Sequence, residues 1–125
     1  MKKRYKLGII GCGFIATTIM RGAIESDFLR GKKIIASDIS EEQLDKVDYL
    51  GVITTNSNLY VAQNSEFVVL AVKGADLPSV LNSIKKASPD KIISVISDIK
   101  KSEIKNSLGI GLKGLPAAFQ IILAR

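Results

Sequence analysis

Six consecutive residues, Gly11-Cys12-Gly13-Phe14-Ile15-Ala16, constrain this chain more than any other stretch of its sequence. They follow directly on the run Leu7-Gly8-Ile9-Ile10 and open a segment in which Ile15, Ile19, Ala23 and Ile24 recur at helical spacing. A strand that hands over to a helix through so little side chain leaves the first backbone N–H groups of that helix bare. The positive end of the helix dipole lies at the same place, so the turn suits an anionic group such as a pyrophosphate. Gly11 allows a tight exit from the strand, Gly13 allows a phosphate to reach the backbone, and Ala16 is small enough for the helix to pack on the sheet. Such a turn is weak evidence alone, because glycine turns also occur where nothing binds; its surroundings give it weight.

Those surroundings alternate. Strand-length apolar runs and helix-period segments follow one another along the chain, the pattern of a parallel sheet with helices on its faces. Tyr5 to Gly11 reads as the first strand, about Phe14 to Glu25 as a helix, Asp27 to Lys33 as a polar link, and Ile34-Ile35-Ala36 as a second strand ending at Ser37-Asp38. Ser40 with Gln43 three residues on is a capping-box pattern, which starts a second helix near Glu41 that closes before Gly51. Val52-Ile53-Thr54 is a brief third strand, and Ser57 or Asn58 caps a short helix running to Asn64. Phe67 to Val72 is continuously apolar, as expected of a central strand buried on both faces. Asp76-Leu77-Pro78 opens a helix with the stripe Leu77, Val80, Leu81 and Ile84, which Pro89 ends. Ile92 to Ile96 is a fifth strand, and Lys101 to Ser107 an amphipathic helix.

The expected fold class is therefore α/β, a Rossmann-type parallel sheet flanked by helices in a single three-layer domain. Residues 1–112 form that domain, and 113–125 a C-terminal tail with an apolar end, Phe119 to Ala124, that favours self-association unless it packs on the sheet. A chain of 125 residues with 46% hydrophobic content can bury one core and is too short for two ordinary domains. No apolar stretch approaches the roughly 20 residues of a membrane-spanning helix, and the charged start passes straight into the first strand, so neither a signal peptide nor an anchor is expected. Cys12 is the only cysteine and there is no histidine. A disulfide within the chain, a zinc site and histidine acid/base chemistry are thereby excluded, no metal is expected, and a reducing cytoplasm fits. The net charge is +6, but the lysines are scattered, which suits a solvated surface mildly favouring an anionic nucleotide better than a nucleic-acid interface.

Asp38 ends the second predicted strand, where a carboxylate can accept hydrogen bonds from the adenosine ribose of NAD or NADP. It disfavours a 2′-phosphate and so leans toward NAD, while Lys32, Lys33, Ser37 and Ser40 leave a phosphate pocket open as the alternative. An ordinary loop or capping role is the competing reading of Asp38. Cys12, beside a helix N-terminus, is either a reactive thiolate or a small side chain that a crowded turn accepts.

The pieces Gly8-Ile9-Ile10-Gly11-Cys12-Gly13-Phe14-Ile15-Ala16, Ile19-Met20-Arg21-Gly22, Ala36-Ser37-Asp38 and Val69-Leu70-Ala71-Val72-Lys73 together resemble the N-terminal half of pyrroline-5-carboxylate reductase, in that family's order and spacing. The resemblance runs from about Lys6 to Leu108. It implies NADP or NAD as cofactor and reduction of the cyclic imine 1-pyrroline-5-carboxylate to proline. It also implies cofactor contacts from the glycine turn, Ser37, Asp38, Asn58, and Ala71-Val72-Lys73 with the following Gly74. Read without it, Asn58 is equally a helix cap and Lys73 equally a solvated lysine. No catalytic residue is assigned.

Several positions depart from the family pattern. Gly74 stands where the family has proline, Ile96-Ser97-Asp98 where it has an Ala-Gly turn, and Lys113 to Phe119 where it has a Met-Pro-Asn-Thr-Pro loop. In that family a helical domain that dimerises and shapes the substrate pocket follows the nucleotide domain, so the resemblance implies either a fragment of an enzyme or a shortened relative whose activity needs a partner. Other readings are a stand-alone NAD(P)-binding or sensing module, and a different reductase on the same half, such as a deazaflavin-linked NADP oxidoreductase or a hydroxyacid dehydrogenase.

Overall fold

The computed structural model describes residues 3–87, 92–95 and 120–121. Its sheet is built from β1 (Tyr5–Ile10), β2 (Ile34–Ser37), β3 (Ile53–Thr55), β4 (Ser65–Leu70), β5 (Ile92–Ser94) and β6 (Gln120–Ile121), in the order β3-β2-β1-β4-β5-β6. Every pairing is parallel. The intervening helices are α1 (Phe14–Glu25), α2 (Glu41–Asp48), α3 (Asn58–Asn64) and α4 (Leu77–Ile84). Chain order reverses where β1 lies against β4, the place at which a doubly wound sheet opens a crevice.

Side-chain alternation along the strands divides the core into two halves. In β2, Ile34 and Ala36 face the layer formed by α1 and α2, where they meet Ala16, Met20, Leu44 and Val47. Ile35 faces the other way, into the half that holds Val61, Ala62, Leu77, Val80, Leu81 and Ile84 of α3 and α4. β4 does the same, with Val69 on one side and Val68 and Leu70 on the other, so the three layers follow from burial on both faces of the central strands.

The expected elements form, with shifted bounds. β4 starts two residues before the apolar run and stops at Leu70, with the Ala71 N–H on Ile10 O at 2.9 Å as the last rung of its parallel ladder with β1. β3 is moved on by one residue, and the polar link holds a 3₁₀ turn at Gly31–Lys33. Of the capping box only half is made: Ser40 Oγ accepts from Gln43 N–H, but the Ser40 N–H is taken by Asp38 Oδ1 at 2.9 Å, leaving nothing for the Gln43 side chain to satisfy. Ser57, not Asn58, caps α3 by accepting from Tyr60 N–H. In the C-terminal stretch, Gln120–Ile121 pairs with β5 as the edge strand. The expected helix stop at Pro89, the helix at 101–107, and the family departures at 96–98 and 113–119 lie outside the described residues. Among the described residues no helix is long and apolar enough to cross a membrane.

Close packing of α3 on β1 depends on Gly8. A Cβ there would come within 2.2 Å of Ser65 Oγ and 2.6 Å of Val61 Cγ1, and Ser65 Oγ is buried without a hydrogen-bond partner. Gly8→Ala is expected to cost about 1–3 kcal/mol through overpacking. Ser65→Ala, which removes an unsatisfied hydroxyl, is expected to leave stability equal or higher and to recover part of the Gly8→Ala loss. Urea titrations of the two single variants and the double variant measure both effects.

Candidate functional site

The site is assembled where β1, β2 and β4 end together. The Gly11 N–H donates to Ser37 O at 2.8 Å, tying β1 to the end of β2. Gly11 adopts φ +102°, a left-handed conformation that L side chains rarely reach, and a Cβ there would sit 2.5 Å from Ala71 O. Gly13 is different. Its φ is −80° and a Cβ would meet nothing within 4 Å, so its lack of a side chain answers no need of the fold and leaves the space in front of α1 open.

Gly13 is also the N-cap of α1, with no side-chain cap and no acidic residue in the first turn. The N–H groups of Phe14, Ile15 and Ala16 therefore have no intrahelical acceptor, and the dipole's positive end faces outward beside them. Ala16 is fully buried under the sheet, while Phe14 is 85% exposed.

Asp38 is held on both oxygens. Its Oδ2 accepts from Cys12 N–H and its Oδ1 from Ser40 N–H, each at 2.9 Å, so the carboxylate clips the glycine turn to the start of α2. The capping and ligand readings of Asp38 are thus compatible: the side chain fastens two backbone segments and still borders the cleft. Asn58 is positioned in a similar way. Ser37 Oγ donates to Asn58 Oδ1 at 2.7 Å, and Asn58 Nδ2 donates to Ser83 Oγ at 3.2 Å, which fixes the amide between β2 and α4.

These residues surround a cleft of ≈ 280 Å³. Of the residues singled out from sequence, Gly11, Cys12, Gly13, Asp38, Asn58, Ala71, Val72 and Lys73 line it. Phe14, Ile15, Ala16, Ser37 and Gly74 stand behind or beside it: Ser37 is buried and orients Asn58, and Gly74 begins a 3₁₀ turn that leads into α4. Ile39, Gln43, Asp76, Ser79 and Val80 also line the cleft and were missed. Ile39 carried a readable signal, as an apolar residue directly after Asp38 in a polar loop. Ser79 and Val80 lie in the first turns of α4, where a one-dimensional pattern gives no hint that the helix borders the same space.

Cys12 is buried, with its Sγ 3.5 Å from Ser37 O. Burial, and then the nearby Asp38 carboxylate, push its thiol up to about 12. The alternative of a reactive thiolate is therefore replaced by that of a small packed side chain. Between the ordinary thiol value near 9.0 and about 12 the folded chain keeps this proton while the unfolded chain loses it, so Cys12 lowers stability as pH rises through that window. Iodoacetamide at pH 8 is expected to label Cys12 in the folded chain at least about tenfold more slowly than in urea-unfolded chain, as followed by mass spectrometry.

An all-parallel sheet in this order, with a glycine turn opening a helix at its switch point, defines the Rossmann class of doubly wound domains. Within that class the chain belongs to the family described as NADP oxidoreductase, coenzyme F420-dependent, whose model matches residues 6–98. The resemblance to pyrroline-5-carboxylate reductases is borne out. The enzyme of that name from Methanosarcina acetivorans is 31% identical over 106 residues, covering 82% of this chain and 39% of the relative. Pyrroline-5-carboxylate reductase 3 of Mus musculus is 32% identical over 110 residues, covering 86% and 40%. The solved structure of a pyrroline-5-carboxylate reductase from Coxiella burnetii superposes with a TM-score of 0.77 at 28% identity, covering 85% of this chain and 40% of that one. The chain thus spans about two fifths of the length of the relatives it matches.

Proposed function

We propose that this chain is the cofactor-binding part of an NAD(P)H-dependent pyrroline-5-carboxylate reductase. The observation that carries the reading is the uncapped start of α1, opening with Gly13 into the crevice between the ends of β1 and β4. The residues present fit a dinucleotide. Gly13 and the first-turn N–H groups of Phe14, Ile15 and Ala16 hold the diphosphate, on a turn whose floor is Gly11 and Cys12. Asp38 accepts from the adenosine ribose, and Asn58, oriented by Ser37, borders the adenosine end. Ala71, Val72 and Lys73, followed by Gly74, flank the nicotinamide end.

When bound, the nicotinamide supplies the hydride that reduces the imine carbon of 1-pyrroline-5-carboxylate, a proton going to the nitrogen to give proline. The described residues contribute binding and orientation, and effective positioning of two reactants is itself a large part of such a rate enhancement. The proposal includes a cytoplasmic setting, in keeping with a single buried thiol. A second reading, hydride exchange between NADP and coenzyme F420, has in its favour the description of the family model. The relatives near 30% identity favour the imine. Oxidation of the reduced nicotinamide on adding pyrroline-5-carboxylate, and not on adding oxidised F420, separates the two.

Gly13→Asp is expected to abolish binding of both NADH and NADPH, lowering affinity at least about a hundredfold by setting a carboxylate against the diphosphate. The fold is expected to survive, because the added side chain meets open space at an ordinary φ. Calorimetric titration beside a circular-dichroism melt checks both points, and unchanged affinity in a folded variant removes the site assignment. Gly11→Ala, strained in φ and pressed on Ala71 O, is expected to lower the melting temperature instead.

A further inference from the structure

The coenzyme's adenosine end would meet an unusually one-sided set of charges. Asp38 cannot swing away, since both its oxygens are engaged by backbone N–H groups at 2.9 Å. The residue after it, Ile39, is 91% exposed and offers no charge. The helix that follows opens with Glu41 and Glu42, and the one cation on it, Lys46, is drawn back to Glu42 at 3.6 Å. Arg21 on α1 is committed to the Tyr49 hydroxyl.

Lys32 and Lys33, which from sequence alone could have built a phosphate pocket, lie in the 3₁₀ turn before β2. Asp38 lies after that strand, so the four residues of β2 separate them by roughly 13 Å at about 3.3 Å per residue. Lys73, the only cation among the described residues that line the cleft, follows β4 rather than β2, and Asp76 lines the same cleft.

We propose that Asp38 and Ile39 are specificity-determining residues that make this chain select NAD(H) over NADP(H), although its family is described by NADP. The inference rests on the dinucleotide reading above. A ribose with free 2′- and 3′-hydroxyls donates to the remaining lone pairs of Asp38. A 2′-phosphate instead brings negative charge against a fixed carboxylate with no cation on β2, its following loop or the first turn of α2 to offset it. Ile39, side chain in solvent at the exit of β2, is the position from which a guanidinium would reach such a phosphate.

The test is equilibrium titration of the purified chain with NADH and with NADPH, no substrate added, followed by ligand fluorescence. NADH is expected to bind at least about tenfold more tightly. Ile39→Arg, at a side chain that is 91% exposed on the cleft rim, is expected to raise NADPH affinity several-fold and so to narrow the ratio of NADH to NADPH affinity. Asp38→Asn is expected to narrow the gap from the other side. Equal affinity for the two coenzymes in the unaltered chain overturns the selectivity while leaving the binding site standing. An NADH preference that neither substitution narrows also overturns it. If neither coenzyme binds, the dinucleotide reading itself falls and takes the selectivity with it.

Discussion

Three strand ends are fastened to one another at a single point, and the cleft exists because of how they are fastened. The Gly11 N–H holds Ser37 O, the Ala71 N–H holds Ile10 O, and the Cys12 N–H holds the Asp38 carboxylate. The bonds carry β1 as far as Gly11 alongside both neighbours, after which α1 leaves on one face of the sheet and α4 on the other. Gly11 must lie flat against Ala71 O for this to happen, in a backbone conformation that a side chain would strain. What remains between the diverging helices is a lined space with a bare helix start at its base.

The surrounding layers keep that point rigid. α1 drives Ala16 and Met20 into one half of the core, and α4 drives Leu77, Val80, Leu81 and Ile84 into the other, so neither helix can shift without opening packed apolar surface. Polar side chains complete the framework where apolar ones cannot. The chain of hydrogen bonds from Ser37 through Asn58 to Ser83, which itself donates to Val80 O, links β2, α3 and α4 along the cleft's flank.

Much of this was legible in the sequence because the strongest signals are local. The glycine turn, the period of α1 and the apolar run of β4 each specify their own structure, and alternation between strands and helices is enough for the layer order. The ends of strands were less legible, since a pairing partner decides them: Ala71 and Val72 are as apolar as the strand they follow, yet the pairing ends with the Ala71 N–H on Ile10 O, where β1 gives way to the glycine turn. Competing hydrogen bonds were also hidden. Ser40 and Gln43 match a capping box, but Asp38, two residues earlier, captures the amide that the box requires. Around the cleft, Gly11, Asp38 and Asn58 could be found because each belongs to a recognisable pattern, whereas Ser79 is brought there by the crossing of α4 over the sheet.

The central pairing of the sheet joins parts of the chain that are far apart in sequence. Tyr5 lies opposite Ser65, the Lys3 ammonium donates to Gln63 O, and Lys6 pairs with Glu66 at 3.2 Å, each contact closing a loop of 60 residues. Loops of that length carry a substantial closure entropy and belong to topologies that fold slowly. Until β4 docks, one wall of the cleft is absent even if the first three strands have already zipped together. A molecule seated there would be recognised only by the completed chain, so its concentration would act as a thermodynamic ratchet on the last and longest-range step of assembly.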